Sequence, residues 1–132
     1  MRGQTSIEYL SIIILSLAII VPAFYIAYSN SADEIRVTQA RKLVNDVVDG
    51  ADYALVLGPG TLTKKSVFVP DGTTMKIQGK TVIADLTTQA GESQIFANSL
   101  AILAGSLPSN SGSYEVSFRV LDNKTVELSL DT

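Results

Sequence analysis

The first quarter of the chain is almost uniformly apolar, and this pattern predicts one long helix. Residues 9–32 carry no charge, and residues 10–28 are mostly Ile, Leu, Val, Ala and aromatic residues. At 1.5 Å per residue, these 24 uncharged residues would span roughly 36 Å. That length crosses the hydrocarbon core of a bilayer with some tilt, so the segment is typical of a transmembrane helix.

Helical periodicity continues beyond this segment, but on one side only. Apolar residues recur at steps of three and four, which is typical of an amphipathic helix. They are Ile35, Ala40, Leu43, Val44, Val47, Val48, Ala51, Ala54 and Leu55. Gly58-Pro59-Gly60 ends the pattern, because both residue types disfavour a continuing helix. One helix over residues 6–57 would be roughly 78 Å long.

Two features favour a bend in this predicted helix. Pro22 lacks the amide hydrogen that a helix interior uses. Ser31 and Glu34 have the spacing of a capping box, which begins a helix. Helix bundles tolerate a transmembrane proline. We therefore expect one rod, with or without a kink.

Beyond Gly60 the period changes from 3.6 to 2, which indicates strands. Residues 114–120 and 126–130 alternate on either side of Asp122-Asn123-Lys124, which predicts a hairpin. The other alternating stretches are residues 65–69, 74–78 and 82–86, whereas residues 93–107 fit either a strand or a short helix. An antiparallel sheet with one apolar face would cover the helix stripe, so we expect an α+β fold.

The part of the chain beyond the apolar segment has about 100 residues, which is enough for one small domain. The net charge is −3 and the basic residues are scattered, which argues against a nucleic-acid partner. The chain has no Cys and no His, which excludes disulfides, cysteine nucleophiles and histidine triads. The carboxylates fall mostly at predicted turns or solvent faces, and no two are expected to converge. We expect no enzyme activity, no metal and no cofactor.

One charged residue, Glu8, lies at the front of the apolar helix. A carboxylate in hydrocarbon costs about 2.5–3.5 kcal/mol, so it needs a partner or an interfacial position favoured by the helix dipole. Arg2 precedes the span while Asp33 and Glu34 follow it, which favours a cytoplasmic N-terminus. The apolar stretch is longer than the about 7–15 residues of a secretory signal core, and no clear cleavage site follows it.

The sequence Gly3-Gln4-Thr5-Ser6-Ile7-Glu8, followed directly by the apolar helix, resembles the class III signal peptide of archaeal type IV pilins. The pattern of that family is Gln-x-Ser-x-Glu-x-x-x-Leu. Gln4, Ser6 and Glu8 match it, and Ile12 stands where the family has Leu. A membrane prepilin peptidase cuts these proteins just before the Gln on the cytoplasmic side. The resemblance therefore implies a leader at residues 1–3 and cleavage between Gly3 and Gln4.

The same resemblance implies the rest of the organisation. Residues 4–32 would be the membrane and filament-core helix, and residues 33–132 an extracellular pilin domain. Copies of the chain would polymerise with the help of the pilus assembly machinery, and the filament would serve surface adhesion. After cleavage, Gln4 carries a free α-amino group that Glu8 of a neighbouring subunit can face. A mismatched register would leave a charge unpaired in an apolar bundle, so Gln4 and Glu8 would set the register of assembly.

Other interpretations stay open at this point. The chain could be a membrane-tethered binding domain or a minor pilin, and a subunit of an archaellum is a weaker alternative. Asn123-Lys124-Thr125 is the only N-x-[ST] sequon. Asn123 is therefore either an N-glycosylation acceptor or an Asn chosen because it tolerates a left-handed turn conformation.

Cleavage before Gln4 is the most direct prediction from the sequence. Intact mass or N-terminal sequencing of the protein from its native membrane should show that residues 1–3 are missing. A bulky residue in place of Gly3 should block processing, because a peptidase that cuts beside a membrane needs a small residue at the scissile site. A native chain that keeps residues 1–3 would reduce the N-terminal segment to a plain membrane anchor.

Overall fold

The computed structural model describes residues 2–131 and confirms the α+β fold. Helix α1 comprises Arg2–Leu57, a run of 56 residues. Seven strands follow it in chain order: β1 Leu62–Val69, β2 Thr73–Gln78, β3 Thr81–Thr88, β4 Gly91–Asn98, β5 Ile102–Gly105, β6 Gly112–Val120 and β7 Thr125–Asp131. The chain divides into two compact units, Met1–Glu34 and Ile35–Thr132. The first contains the apolar part of α1, and the second contains the rest of α1 and all seven strands.

Helix α1 runs through both positions that favoured a bend. The Ser31 hydroxyl donates a hydrogen bond to the Ala27 carbonyl at 2.9 Å. A serine in the interior of a helix donates to the carbonyl four residues earlier in this way. The side chain of an N-cap residue instead accepts from amides that follow it. The alternative of a capping box at Ser31 and Glu34 is therefore wrong, and the expectation of one helix through this region is confirmed. Pro22 also lies within the helix.

The strands form two sheets rather than the single antiparallel sheet that the sequence predicted. One sheet has four strands in the order β1-β6-β7-β5, and the other has three in the order β2-β3-β4. The pairs are antiparallel except β5 and β7, which run parallel. The predicted β6–β7 hairpin is confirmed, with Val120 opposite Val126. The ambiguous residues 93–107 hold most of β4 and all of β5.

The change of sheet between β4 and β5 is fixed by hydrogen bonds that strand periodicity does not encode. The Ser99 amide donates to the Lys80 carbonyl at 2.7 Å, and the Leu103 amide donates to the Gly79 carbonyl at 2.8 Å. Asp52 on α1 accepts from the Ser99 hydroxyl at 2.5 Å and from the Leu100 amide at 2.8 Å. These bonds hold the β4–β5 connection to both the helix and the β2–β3 turn, and β5 beyond it pairs with β7 of the other sheet.

The core lies between α1 and the inner faces of the two sheets. The helix buries Ala40, Leu43, Val44, Val47, Val48, Gly50, Ala51 and Ala54, which confirms the predicted stripe from Ala40 onward. Ile35 was predicted to belong to this stripe, but it is 58% exposed. Strand residues complete the core, with Phe118, Val126 and Leu128 from the larger sheet and Val82 and Ala84 from the smaller one.

Gly50 lies directly against a side chain of the larger sheet. A Cβ atom at this position would lie 2.7 Å from two ring carbons of Phe118. Phe118 is fully buried, so its ring has little room to move away. The sequence pattern indicates only that Gly50 weakens the helix. In the structure, the ring of Phe118 occupies the space that a side chain at position 50 would fill.

We predict that Gly50→Ala destabilises the protein although alanine favours helices. Helix propensity alone would stabilise the variant by about 1 kcal/mol. Overpacking against Phe118 should outweigh this gain with a penalty of about 1–3 kcal/mol. Thermal unfolding of the full chain in detergent micelles, followed by the near-UV circular dichroism of tyrosine, measures the change.

The control is the same substitution in a Phe118→Leu background. Leu lacks the outer ring atoms that the new methyl group would meet, so Gly50→Ala should be neutral or stabilising there. An equal loss of stability in both backgrounds would show that the Phe118 ring is not the reason for glycine at this position.

Candidate assembly helix

The N-terminal part of α1 presents apolar side chains on every side. All residues from Arg2 to Tyr28 are exposed. The large apolar residues among them are Ile7, Tyr9, Leu10, Ile12, Ile13, Ile14, Leu15, Leu17, Ile19, Ile20, Val21, Phe24, Tyr25, Ile26 and Tyr28. Soluble monomers rarely expose contiguous apolar patches larger than a few hundred Å². This surface therefore needs a cover of lipid or of protein. The predicted membrane and filament-core segment that contains most of it, residues 4–32, is here named the assembly helix.

By length and composition, α1 is apolar enough to cross a membrane, and none of the most apolar window is buried. The serine hydroxyl groups within this apolar segment are compatible with a membrane environment. Ser11 donates to the Ile7 carbonyl and Ser16 to the Ile12 carbonyl, both at 2.8 Å. Because both hydroxyls bond to carbonyls of their own helix, they need no partner in an apolar environment.

Glu8 is the charged group of the assembly helix. It is the only charged residue between Arg2 and Asp33, and it is exposed. Within residues 2–131, no ion pair or side-chain hydrogen bond involves its carboxylate. Glu8 lies on the same helix face as Gln4, one turn further along. An apolar cover would enclose this carboxylate without a partner from its own chain.

Gly3 and Gln4, the two residues at the predicted cleavage site, are helical and exposed. A Cβ atom at Gly3 would meet nothing within 4 Å. No described contact therefore requires glycine at position 3, and a larger residue there can be tested without disturbing the domain. Met1, the first residue of the predicted leader, lies outside the described residues.

Asn123, the predicted glycan acceptor, is exposed in the turn between β6 and β7. Among residues 2–131 only glycines have positive φ angles, so the left-handed explanation for Asn123 is wrong. Asp122 shapes the turn instead, because its carboxylate accepts from the amides of Lys124 at 2.8 Å and Thr125 at 2.7 Å. These bonds lower the pKa of Asp122. Glycosylation of Asn123 stays a prediction.

One polar cluster, built around the single carboxylate of Asp85, was not predicted from the sequence. Asp85 accepts from Lys76 at 2.8 Å and from Gln94 at 2.9 Å across three neighbouring strands. The hydrogen bond from Lys76, followed by that from Gln94, lowers the pKa of Asp85. Asp85 in turn raises the pKa of Lys76, to which Glu92 adds a smaller contribution. Only the strand register, which sequence alone leaves open, brings these residues together.

No group of three or more potential Asp, Glu, His or Cys metal ligands occurs within the described part of the chain. Comparisons with models of known protein families, with curated proteins and with solved structures find no match. The assembly helix and its lone carboxylate are therefore the features on which a function must be argued.

We predict that removing residues 1–28 yields a soluble and monomeric domain. The core is built entirely from residues 40–128, so the deletion removes exposed apolar surface and no core contact. Size-exclusion chromatography with light scattering measures the mass of the truncated protein. Unaided polymerisation of this fragment would locate the assembly contacts in the sheets and contradict the role given to the helix.

Proposed function

We propose that the chain is a structural subunit, a pilin, of an archaeal type IV pilus-like extracellular filament. A prepilin peptidase removes residues 1–3, and the subunits then polymerise through the assembly helix. The observation that carries this proposal is a single unpaired carboxylate at the start of an apolar helical segment that is exposed throughout residues 2–28, in a protein whose core is complete without that segment. The match of Gln4, Ser6 and Glu8 to the class III motif supports the same function.

The proposed pathway starts in the membrane, with the N-terminus in the cytoplasm and residues 33–132 outside the cell. Moving the assembly helix from lipid into a bundle of helices exchanges one apolar environment for another. Lipid tails are as apolar as leucine side chains, so apolar burial alone gives little preference for assembly. Packing and polar pairing between helices must supply that preference, and Glu8 is the polar group with the largest effect.

One carboxylate per subunit is enough to balance the charge of the helix bundle. Cleavage before Gln4 creates one α-ammonium group, and the assembly helix contains one carboxylate, Glu8. Each subunit therefore brings one positive and one negative group into the apolar bundle. Pairing the Glu8 carboxylate with the ammonium of a neighbouring Gln4 fixes the axial offset between the two helices. Any other offset leaves both charges unpaired at a penalty of several kcal/mol.

A second candidate function is a membrane-tethered binding domain, or a minor pilin present in few copies. The polar cluster of Lys76, Asp85 and Gln94 favours it, because these side chains are held in place on an accessible face. In that case the assembly helix stays in lipid and forms no bulk filament. Copy number in sheared surface filaments separates the two functions.

We predict that Glu8→Ala abolishes filaments while the protein remains folded and inserted. Removal of the carboxylate relieves an insertion penalty of about 2.5–3.5 kcal/mol. In the bundle, however, it leaves the neighbouring ammonium uncompensated. Filament yield by electron microscopy is the measurement, scored only in cells where intact mass shows normal cleavage, because Glu8 belongs to the processing motif.

Glu34→Ala is the matched control, since Glu34 is also an exposed glutamate of α1 but lies beyond the assembly helix. It should assemble as the wild type does. Wild-type filament yields from a correctly cleaved Glu8→Ala variant would show that Glu8 is merely interfacial, and the filament function would lose its main support.

A further inference from the structure

The outer face of the three-stranded sheet combines fixed polar groups with an exposed aromatic ring. Strand register places its residues in two rows, Thr74-Asp85-Gln94 and Lys76-Ile83-Phe96. The inner residues of the same strands, such as Val82 and Ala84, are buried in the core. The two rows, here named the β2–β4 face, therefore point away from the core on a rigid support.

The polar row is preorganised. Lys76 donates to one oxygen of the Asp85 carboxylate and Gln94 donates to the other. Both bonds lower the pKa of Asp85, so this carboxylate is ionised and held in one orientation. An open cavity of about 620 Å³ lies over this row, with Thr74, Thr87 and Glu92 among its walls. That size is within the range of small-molecule sites.

Phe96 adds an apolar surface beside the polar row. It is two residues from Gln94 on β4, so both side chains lie on the same face of the strand. Its ring is 66% exposed, and its cross-strand neighbour on this face is Ile83. A rigid aromatic side chain loses little conformational entropy on binding and offers a large flat contact area.

We propose that the β2–β4 face binds a neutral saccharide, with the ring of Phe96 stacked on the apolar face of one sugar unit. Sugar hydroxyls would donate to the free lone pairs of Asp85 and accept from Thr74 and Lys76. Pyranose rings carry an apolar C–H face and a rim of hydroxyls, which matches this combination of flat ring and fixed polar groups. The site deepens the adhesive part of the proposed function by naming the chemistry of its target.

Electrostatics argue against charged ligands at the same place. Lys76 is already paired with Asp85, and Glu92 adds a second negative charge nearby, so no uncompensated cation attracts an anion. A metal ion lacks a ligand set in residues 2–131. A purely apolar partner would cover the hydrogen-bonding groups of Asp85 and Gln94 without replacing their water.

The test is a titration of the full ¹⁵N-labelled chain in phosphocholine micelles, followed by amide chemical shifts. Detergents with sugar head groups are excluded because they would compete for the site. Cellobiose, maltose and N,N′-diacetylchitobiose are the probes. We expect saturable shifts confined to the amides of β2, β3 and β4 facing the cavity, with a dissociation constant on the order of 1 mM.

Variants assign the binding to this face. Phe96→Ala should weaken binding by about tenfold or more, the change that corresponds to about 1.4 kcal/mol. Asp85→Asn should also weaken it. The matched controls are Phe68→Ala, another half-exposed phenylalanine on a different sheet, and Asp46→Asn, whose carboxylate pairs with Lys65 at 3.3 Å elsewhere on the domain. Both controls should bind as the wild type does, and dispersed spectra verify the fold of each variant.

Several outcomes would overturn the inference. These are the absence of shifts with all three probes, unchanged binding in Phe96→Ala, and shifts of the same amides with protein concentration alone, which would assign the face to a contact between copies. Because binding is measured on the monomer, its failure leaves filament formation untouched. Conversely, saccharide binding by a protein that never forms filaments would overturn the pilin function and keep this site.

Discussion

An apolar helix surface that is exposed in the single chain is the constraint on which the proposed assembly depends. Residues 2–28 are exposed throughout, whereas the core is built from residues 40–128. Because the core does not use the N-terminal residues, they are available for the contacts with lipid and with other helices that we propose. The Ser11 and Ser16 hydroxyls bond to their own helix, whereas the Glu8 carboxylate has no partner within residues 2–131. We propose that pairing of this carboxylate selects one arrangement of neighbouring helices.

The domain that follows is stabilised by close packing between the helix and the two sheets. Small residues on the buried stripe, above all Gly50, let the ring of Phe118 approach the helix backbone. Asp52 ties the β4–β5 connection to the helix, so the smaller sheet and the larger one share a single core. As a result the outer faces of both sheets are available for contacts that the fold itself does not need.

Periodicity was sufficient to predict the features that depend on local sequence. The uncharged run and the stripe from Ala40 predicted the helix, and alternation around Asp122-Asn123-Lys124 predicted the β6–β7 hairpin. The partition into two sheets could not be predicted, because it depends on hydrogen bonds from Ser99 and Leu103 to a distant turn. The Lys76–Asp85–Gln94 cluster was missed for the same reason, since its members converge only through strand register. The motif named the candidate cleavage residues Gly3 and Gln4 and the candidate assembly residues Gln4 and Glu8, whereas the open space around Gly3 could not be predicted from the sequence.

The most direct test is cryo-electron microscopy of filaments sheared from the native cell surface, at a resolution that traces side chains. The measured quantity is the distance between the Glu8 carboxylate and the amino nitrogen of Gln4 in a neighbouring subunit. We expect a chain that begins at Gln4 and a separation within the about 4 Å of an ion pair. Filaments of this protein in which Glu8 faces solvent or has no ammonium within reach would contradict the account, as would subunits that retain residues 1–3.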